Sequence, residues 1–223
     1  MRIIMFSGKA RVGKTTAAKK IAELAFLAGM KPIFLPFAKP IKDKAAAEGY
    51  TKEETPQEYR AYCQLMGETQ RKANPDYWIK AWKEELFKQE LREKKDLNEN
   101  LKHWERVIIV DDCRYQNEIE TCKELGAILC FVSHGGRSIE DEDSDWREHE
   151  SETWSNTVEE QGFSEEIDYW LENNLSERIF EEVIRQESGE LLGIGPNDQD
   201  PVKKLAALLD KLIEQLGSDD EKT

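Results

Sequence analysis

An eight-residue segment near the amino terminus constrains the fold more than any other feature of the sequence. It reads GKARVGKT over residues 8–15, and it matches the pattern G-x-x-x-x-G-K-[ST]. In this pattern the glycines permit a backbone whose N–H groups face a phosphate, the lysine reaches the β- and γ-phosphates, and the hydroxyl ligates Mg²⁺. The spacing therefore predicts a site for ATP and Mg²⁺. The residues that we expect to contact the triphosphate are Gly8, Arg11, Val12, Gly13, Lys14, Thr15 and Thr16.

The residues on either side of this 8–15 loop support the prediction. Residues 2–7 have the composition of a short buried strand, and apolar residues recur at helical spacing over 15–28. A strand, a loop and a helix in this order are the context that the motif requires. The alternative is a glycine-rich turn that caps an ordinary helix, and the order of the three segments disfavours it.

Strands and helices continue to alternate along the rest of the chain. Further strands are predicted over 31–38, 106–112, 127–132 and 167–172. Further helices are predicted over 40–48, 56–66, 75–94, 115–125, 176–186 and 200–216. The alternation predicts an α/β fold in which helices cover both faces of a central parallel sheet. We expect 187–199 to be a linker, 200–216 to be an amphipathic helix, and the charged tail 217–223 to be disordered.

The composition disfavours two classes of function. The 223 residues carry a net charge of −14, whereas proteins that bind polymeric nucleic acid or anionic membranes need a positive surface. The four cysteines form no C-x-x-C pair, and no apolar run approaches the length of a membrane-spanning helix. We therefore expect a cytoplasmic protein with reduced thiols. The composition does not determine the oligomeric state, and a homodimer stays open.

Two adjacent carboxylates end the third predicted strand. Asp111 and Asp112 follow the apolar run VIIV, and an acid in this position serves Mg²⁺ or its water ligands in nucleoside triphosphatases. Because side chains alternate along a strand, only one of the two can face the 8–15 loop directly. The position after the apolar run favours Asp111 as the metal ligand. The alternative for both is a solvated strand end.

Three arginines are candidates for binding the transferred or accepting phosphate. Arg114 follows the two acids, where a guanidinium could hold an acceptor phosphate through two parallel hydrogen bonds. Arg137 and Arg147 lie in the polar segment 133–151 and could close over the transferring group. The alternatives are a surface ion pair for Arg114 and an acidic loop with two paired arginines for the others.

Several segments together share their pattern with one family of enzymes. They are FAKPIK at 37–42, QLMGET at 64–69 with Arg71, PDYW at 75–78, DCRYQNE at 112–118, and HESE at 149–152. In this order they resemble the F-A-x-P-hydrophobic-K, Q-L-x-G-T-E…R…D-x-W, D-V-R-[FY]-x-N-E and H-P-S-E patterns of phage-type deoxynucleoside monophosphate kinases. The stretch from IDY at 167–169 to NN at 173–174 resembles the closing strand of the family and its asparagine turn, and the likeness covers about residues 1–186. It departs from the family where Glu68-Thr69 replaces Thr-Glu and where Glu150 replaces proline. It also departs in the 8–15 loop, where Lys9, Ala10 and Arg11 stand in a segment that often carries an acid in the family.

The resemblance implies a P-loop nucleoside monophosphate kinase-like fold with a helical acceptor-binding region over about 40–100 and a lid over about 133–151. It implies transfer of the γ-phosphoryl group of ATP to a deoxynucleoside monophosphate, with Mg²⁺. It matches the strand-end acid to Asp112 rather than Asp111, and both stay open. The expected acceptor-site residues are Lys42, Gln64, Arg71, Trp78, Arg114 and Asn117. Trp78 has an alternative place in the core.

Two other functions are compatible with the same residues. One is a kinase of the same fold that acts on another phosphorylated small molecule. The other is a nucleotide-binding regulatory protein that has lost phosphoryl transfer. Both retain the ATP site that the 8–15 loop predicts. The first differs from the nucleotide kinase in its acceptor, and the second transfers no phosphoryl group.

Overall fold

Five parallel strands form one sheet in the computed structural model, which describes residues 1–98, 105–134, 153–162, 164–173 and 192. The strands are β1 (Arg2–Ser7), β2 (Lys31–Phe34), β3 (Arg106–Val110), β4 (Ile128–Ser133) and β5 (Tyr169–Glu172). Their order across the sheet is β2-β3-β1-β4-β5, which places β1 in the centre. Ile4 of β1 lies opposite Ile109 of β3 on one side and Ile128 of β4 on the other. The prediction of a parallel α/β sheet is confirmed.

Six helices lie in the described part of the chain. They are α1 (Lys14–Leu27), α2 (Lys39–Ala47), α3 (Pro56–Ala73), α4 (Tyr77–Asn98), α5 (Gln116–Glu124) and α6 (Thr153–Gln161). All five residues of β3 are buried, because helices cover the sheet on both sides. Within the described residues, no helix has the length and apolar character needed to cross a membrane.

Alternating side chains divide the core into two layers. Ile4 and Phe6 of β1 pack with one face of α1, together with Val107 and Ile109 of β3. The residues between them in the strands pack on the opposite face of the sheet. There they meet Ile79, Trp82 and Leu86 of α4 and Ile119 and Cys122 of α5. The three layers are therefore α1, the sheet, and α4 with α5.

The helix after Thr55 is longer than the sequence predicts. The sequence predicts an end at Met66 because Gly67 follows, but α3 continues through Gly67 to Ala73. Gly67 is buried, and its carbonyl oxygen accepts a hydrogen bond from the indole Nε1 of Trp78 at 3.2 Å. A Cβ at this position would lie 3.3 Å from the Nη1 atom of Arg71. Gly67 therefore permits close packing inside a helix and does not end it.

Other elements also differ from the prediction, and β3 ends at Val110 rather than at residue 112. β2 ends at Phe34 rather than at residue 38, and Pro36, which lacks an N–H, follows shortly after. The helix α6 is not predicted, because its sequence TWSNTVEEQ has few apolar residues and no clear amphipathic period. The predicted helices 176–186 and 200–216 and the tail 217–223 lie outside the described residues, as do nearly all of 133–151 and 187–199.

Candidate functional site

The sheet order creates a crevice between β1 and β3. From β1 the chain crosses to β2 at one edge, and from β3 it crosses to β4 on the other side of β1. Ligands of open parallel sheets bind at such a point, beyond the carboxyl ends of the strands. The residues that follow β1 form the 8–15 loop, and those that follow β3 include Asp111 and Asp112. The Oγ atom of Ser7 donates to the carbonyl of Cys113 at 2.9 Å and joins the two strand ends.

The backbone of the 8–15 loop has positive φ angles at three residues, and residue 8 must be glycine. Gly8 has φ of 130°, Gly13 has φ of 104°, and Arg11 has φ of 65°. A Cβ on Gly8 would lie 2.1 Å from the carbonyl oxygen of Val132 in β4. The loop is therefore packed directly against the neighbouring strand, with no room for a side chain at residue 8.

Lys14 begins α1 and its ammonium group lies across the loop. Its Nζ atom donates to the carbonyl oxygens of Gly8 at 2.6 Å and Lys9 at 2.5 Å. The side chain is almost fully buried, so the charge is held at the loop and not in solvent. Thr16 follows in the first turn of α1 and is half-buried, whereas Arg11 is exposed. This places a cation where the motif predicts contact with the β- and γ-phosphates.

Side chains from two other elements hold the loop in place. The amide Nδ2 of Asn173, directly after β5, donates to the carbonyl oxygen of Val12 at 2.9 Å. The ammonium of Lys9 lies 2.6 Å from the carboxylate of Glu159 in α6. Neither Asn173 nor Glu159 is among the residues that the sequence predicts for the site, because nothing in the local pattern shows that they approach residues 9–12.

Thr15 and Asp111 place two oxygen ligands side by side. The Thr15 hydroxyl donates to Oδ2 of Asp111 at 3.2 Å, across the crevice between the two strand ends. Mg²⁺ prefers oxygen ligands and is commonly held by one or two carboxylates together with water and substrate phosphates. This pair fits such an ion. In the described part of the chain, no group of three or more His, Cys, Asp or Glu side chains could hold a metal by itself.

Asp112 serves a different part of the structure. Its carboxylate accepts the backbone N–H of Phe37 at 2.7 Å and that of Ala38 at 3.0 Å. Burial raises the pKa of Asp112, and the hydrogen bond from Ala38 and the charge of Lys42 oppose this change. Both carboxylate oxygens are therefore engaged in fixing the connection between β2 and α2. Of the two acids, Asp111 is the one that contacts Thr15.

A cavity of about 730 Å³ lies beside this crevice, between α3 and the ends of β2 and β3. We call it the α3 cavity. Its lining residues are Phe37, Ala38, Ile41, Lys42, Lys52, Pro56, Gln57, Tyr59, Arg60, Cys63, Gln64, Gly67, Glu68, Arg71, Asp112, Arg114, Tyr115 and Glu118. The volume is within the usual range for small-molecule sites. Five cationic side chains but only three carboxylates line the cavity. The cavity lining is therefore richer in positive groups than in negative ones, whereas the chain as a whole carries a net charge of −14.

Arg71 is held at the cavity wall by its neighbours. Its guanidinium lies 4.0 Å from the centre of the Tyr115 ring, and Nη2 lies 3.5 Å from Oε1 of Glu118. Gly67 leaves space for it, since a side chain there would approach Nη1. Stacking on an aromatic ring and pairing with a carboxylate both restrict a guanidinium, so Arg71 presents its charge to the cavity in a defined position.

Glu118 joins Arg71 to the turn after β3. It is only 3% exposed, and its Oε2 atom accepts the backbone N–H groups of Arg114 at 3.0 Å and Tyr115 at 3.2 Å. Burial raises the pKa of Glu118 to about 7, with the Asp112 charge acting in the same direction and Arg71 against it. Glu118 is not a predicted site residue, although it is the last residue of the DCRYQNE segment.

The expected acceptor-site residues divide into two groups. Lys42, Gln64, Arg71 and Arg114 line the α3 cavity, whereas Trp78 and Asn117 do not. Trp78 is 1% exposed and packs in the core, so its ring cannot stack on a base in this structure. Asn117 donates to the carbonyl of Pro75 and to the carboxylate of Asp76, which fixes the start of α4. Both residues therefore make contacts within the protein instead, and the core alternative holds for Trp78.

Two of the five cationic residues that line the cavity are not predicted from the sequence, although the sequence contains a signal for one of them. Arg60 lines the cavity on the same helix as Gln64 and Arg71. Residues 60, 64 and 71 are separated by four and seven positions and so share one face of a helix. Lys52 precedes α3 and has no comparable signal. Arg137 and Arg147, the predicted lid arginines, lie outside the described residues.

Comparisons with known proteins do not assign the chain to a family. No protein-family model matches the sequence, and no curated protein matches it either. Its function therefore has to be inferred from the loop, the Thr15–Asp111 pair and the α3 cavity.

Proposed function

We propose that the protein transfers the γ-phosphoryl group of ATP to a deoxynucleoside monophosphate, in a P-loop fold of the nucleoside monophosphate kinase type. One observation carries the proposal: a cavity lined by Arg71 and Arg114 adjoins the strand end at which Thr15 meets Asp111. A kinase needs a donor phosphate site and an acceptor phosphate site next to each other. The five parallel strands in the order β2-β3-β1-β4-β5 are compatible with this fold.

The donor triphosphate would bind along the 8–15 loop and the start of α1. The amino end of a helix and the loop N–H groups attract anions, and Lys14 would exchange its two carbonyl partners for phosphate oxygens. Thr15 and Asp111 would hold Mg²⁺, which when bound neutralises charge on the β- and γ-phosphates. Arg11 supplies further positive charge on the exposed side of the loop.

The acceptor phosphate would bind between Arg71 and Arg114. An oxygen of this phosphate forms a bond to the γ-phosphorus while the bond between the γ-phosphorus and the bridging oxygen breaks, and ADP leaves with that electron pair. The attacking group is a phosphate anion with no proton to lose, so the reaction requires no general base. Catalysis then rests on positioning and positive charge, which the two arginines, Lys14 and Mg²⁺ provide. Arg137 and Arg147 stay sequence predictions for the same role.

The two alternative functions make different predictions about the acceptor. A kinase for another phosphorylated molecule would use the same donor residues but would not turn over with any nucleotide. A regulatory protein would bind ATP and leave Arg71 and Arg114 without a substrate. The aromatic and apolar wall of the cavity, formed by Phe37, Ile41 and Tyr115, favours an acceptor that carries a ring over a small sugar phosphate.

The decisive experiment is an assay of ADP release from ATP and Mg²⁺ with each common deoxynucleoside monophosphate, each ribonucleoside monophosphate, and no acceptor. We expect turnover with deoxynucleotides that falls by about 100-fold or more in Lys14→Ala and in Arg71→Ala, since each removes a positioned charge from the transition state. Arg92→Ala and Lys80→Ala serve as matched controls, because both side chains are exposed on α4 and neither lines the cavity.

The outcomes separate the three functions. ATP binding without turnover on any nucleotide would contradict the proposal and favour one of the alternatives. Equal losses of turnover in Arg71→Ala and Arg92→Ala would contradict the assignment of the α3 cavity as the acceptor site.

A further inference from the structure

His134 directly follows β4 and has a ring nitrogen without a hydrogen bond. Its Nδ1 atom is buried, and the part of the chain that the structure describes offers it no hydrogen-bond partner. The side chain as a whole is half-buried. A buried polar atom without a partner costs free energy, and such atoms are rare in folded proteins. The reaction described above does not use His134, so this nitrogen requires an explanation of its own.

The register of the sheet places His134 beside Asn173. The last paired residues of β4 and β5 are Ser133 and Glu172, and the backbone N–H of Asn173 donates to the carbonyl oxygen of Ser133 at 2.8 Å. His134 and Asn173 are therefore the next pair, one residue beyond the two strands. Because side chains alternate along each strand, paired residues of neighbouring strands share a face of the sheet.

This face of the sheet carries the 8–15 loop. The side-chain amide of Asn173 donates to the carbonyl oxygen of Val12 in the loop at 2.9 Å. The carbonyl oxygen of Val132, two residues before His134, packs directly against the start of the same loop. His134 therefore lies next to two places at which β4 and β5 contact the loop, and the donor triphosphate would bind beside it.

The position of the acceptor cavity determines which part of the donor passes His134. The α3 cavity adjoins the ends of β2 and β3, so the γ-phosphate of a bound ATP would point toward that side of the loop. The remainder of the donor would then extend in the opposite direction, over the ends of β4 and β5. That part of ATP offers phosphate oxygens, which accept a hydrogen bond, and ribose hydroxyls, which both donate and accept. An imidazole nitrogen can pair with either.

We propose that His134 is a binding residue of the donor site, and that its Nδ1 atom forms a hydrogen bond with an oxygen of the donor nucleotide. This inference rests on the proposed function and concerns its ATP site rather than its acceptor site. Since the side chain is half-buried, its ring can rotate about the Cβ–Cγ bond and turn Nδ1 toward the ligand. The nitrogen then gains in the complex the partner that it lacks in the free protein, and His134 adds affinity for the donor.

Three substitutions of His134 test this contact. His134→Phe keeps a ring but removes its nitrogens, His134→Asn keeps a polar atom close to the position of Nδ1, and His134→Gln places one near Nε2 instead. Calorimetry with Mg²⁺ measures binding of ATP and of inorganic tripolyphosphate to the full chain. We expect ATP to bind about tenfold more weakly to the Phe and Gln variants, the contribution of one hydrogen bond, and His134→Asn to retain most of the affinity.

The matched control is Ser133→Ala. Ser133 is the neighbour of His134 in the chain, but its Oγ atom accepts the indole N–H of Trp170 at 2.8 Å. This variant should bind ATP within about twofold of the wild type, since no contact with the ligand is lost. Urea denaturation of the free proteins adds a second readout. His134→Phe removes an unpaired buried nitrogen, so its denaturation midpoint should equal or exceed that of the wild type.

Each outcome supports or overturns the inference. Weaker binding of ATP alone identifies a ribose hydroxyl as the partner of Nδ1, and weaker binding of both ligands identifies a phosphate oxygen. Equal affinity of His134→Phe and the wild type for ATP overturns the inference and leaves the kinase proposal intact. Equal losses in all three variants, with lower denaturation midpoints, assign His134 a structural role and also overturn it. If the Phe variant does not fold, the difference between the Asn and Gln variants decides. A wild-type protein that does not bind ATP overturns the proposed function together with this inference.

Discussion

Asp111 and Asp112 are neighbours in the chain, yet their carboxylates contact different parts of the protein. Asp111 lies 3.2 Å from the hydroxyl of Thr15 at the candidate metal site. Asp112 points the other way and binds two backbone N–H groups of the β2–α2 connection. Both acids directly follow β3, which lies between β1 and β2 in the sheet, and Asp111 reaches the segment after β1 whereas Asp112 reaches the segment after β2. One acid is therefore available to Mg²⁺, and the other stabilises the wall of the α3 cavity.

This difference predicts opposite effects of two substitutions. Asp111→Asn should lower Mg²⁺-dependent turnover by about 100-fold or more, because the metal loses its charged ligand, and should change the free energy of unfolding by less than about 0.5 kcal/mol. Asp112→Ala should instead cost about 1–3 kcal/mol of stability, because the N–H groups of Phe37 and Ala38 lose their acceptor. Urea denaturation and Mg²⁺ titration of ATP turnover measure the two quantities. A larger loss of Mg²⁺ dependence in Asp112→Ala would reverse the assignment.

Gly8 provides a second prediction at the level of single residues. Gly8→Ala should destabilise the protein by about 3 kcal/mol or more, because both the strained backbone angle and the overlap with a carbonyl oxygen add cost. The added Cβ would meet the Val132 oxygen at 2.1 Å. Gly126→Ala is the matched control. Gly126 has φ of 74°, but a Cβ added there would have no neighbouring heavy atom within 4 Å. The control should cost about 1 kcal/mol, for the backbone angle alone. Similar losses in both variants would show that packing against β4 is unimportant.

At the scale of secondary-structure elements, the 8–15 loop depends on contacts with distant parts of the chain. Asn173 after β5 and Glu159 in α6 bind the backbone of Val12 and the side chain of Lys9, respectively. The loop geometry is therefore a property of four elements, β1, α1, α6 and β5, and not of its own sequence alone.

Asn173 supplies the prediction that belongs to this scale. Asn173→Ala removes the donor to the Val12 carbonyl, so ATP should bind severalfold more weakly while stability falls by about 0.5–1.5 kcal/mol. Nucleotide binding by calorimetry measures the first effect and urea denaturation the second. Asn74→Ala is the control, because the Asn74 amide accepts the N–H of Asp76 in the turn before α4. If both variants bind ATP like the wild type, the contact with Val12 does not shape the loop.

The same distinction explains how much of the molecule could be predicted. The sheet followed from local patterns, such as the apolar run of β3 and the strand–loop–helix context of residues 2–28. The partners of Arg71 could not be predicted in this way, since Glu118 is 47 residues away in the chain. Trp78 is the clearest example of a role that local sequence does not determine, because its position on an amphipathic helix is compatible with a ligand contact or a core contact. Its hydrogen bond to Gly67 in the structure shows that it is a core residue. Local sequence predicts elements, and contacts between elements define the site.

At the scale of the whole molecule, the charge is distributed unevenly. The chain carries −14, whereas the α3 cavity is lined by Lys42, Lys52, Arg60, Arg71 and Arg114. An anionic ligand would meet attraction at the cavity and repulsion over much of the remaining surface, which favours productive encounters there. Glu118 is an acid of the cavity wall whose pKa is raised by burial to about 7. Its titration therefore influences the stability of the entire fold.

The pKa of Glu118 predicts how stability changes with pH. Burial raises this pKa from its ordinary value of 4.5 to about 7. Between these two values the carboxyl is ionised in the unfolded chain and protonated in the folded one, so the folded protein binds more protons. Stability must then fall as pH rises through this window, with a slope of at most about 1.4 kcal/mol per pH unit. Asp112, whose pKa is also raised by burial, contributes in the same direction.

Glu118→Gln separates this contribution from that of Asp112 and of the charges of Arg71 and Arg114 nearby. The variant cannot ionise at residue 118, so the free energy of unfolding of the variant minus that of the wild type should increase by roughly 2–3 kcal/mol from pH 4.5 to pH 7. Above about pH 8 the difference should stay constant, because the carboxyl is then ionised in both states of the wild type. Urea denaturation at half-unit pH intervals measures both curves, and Glu58→Gln should follow the wild type throughout. A difference between Glu118→Gln and the wild type that does not change with pH would mean that the buried carboxyl titrates near its ordinary pKa.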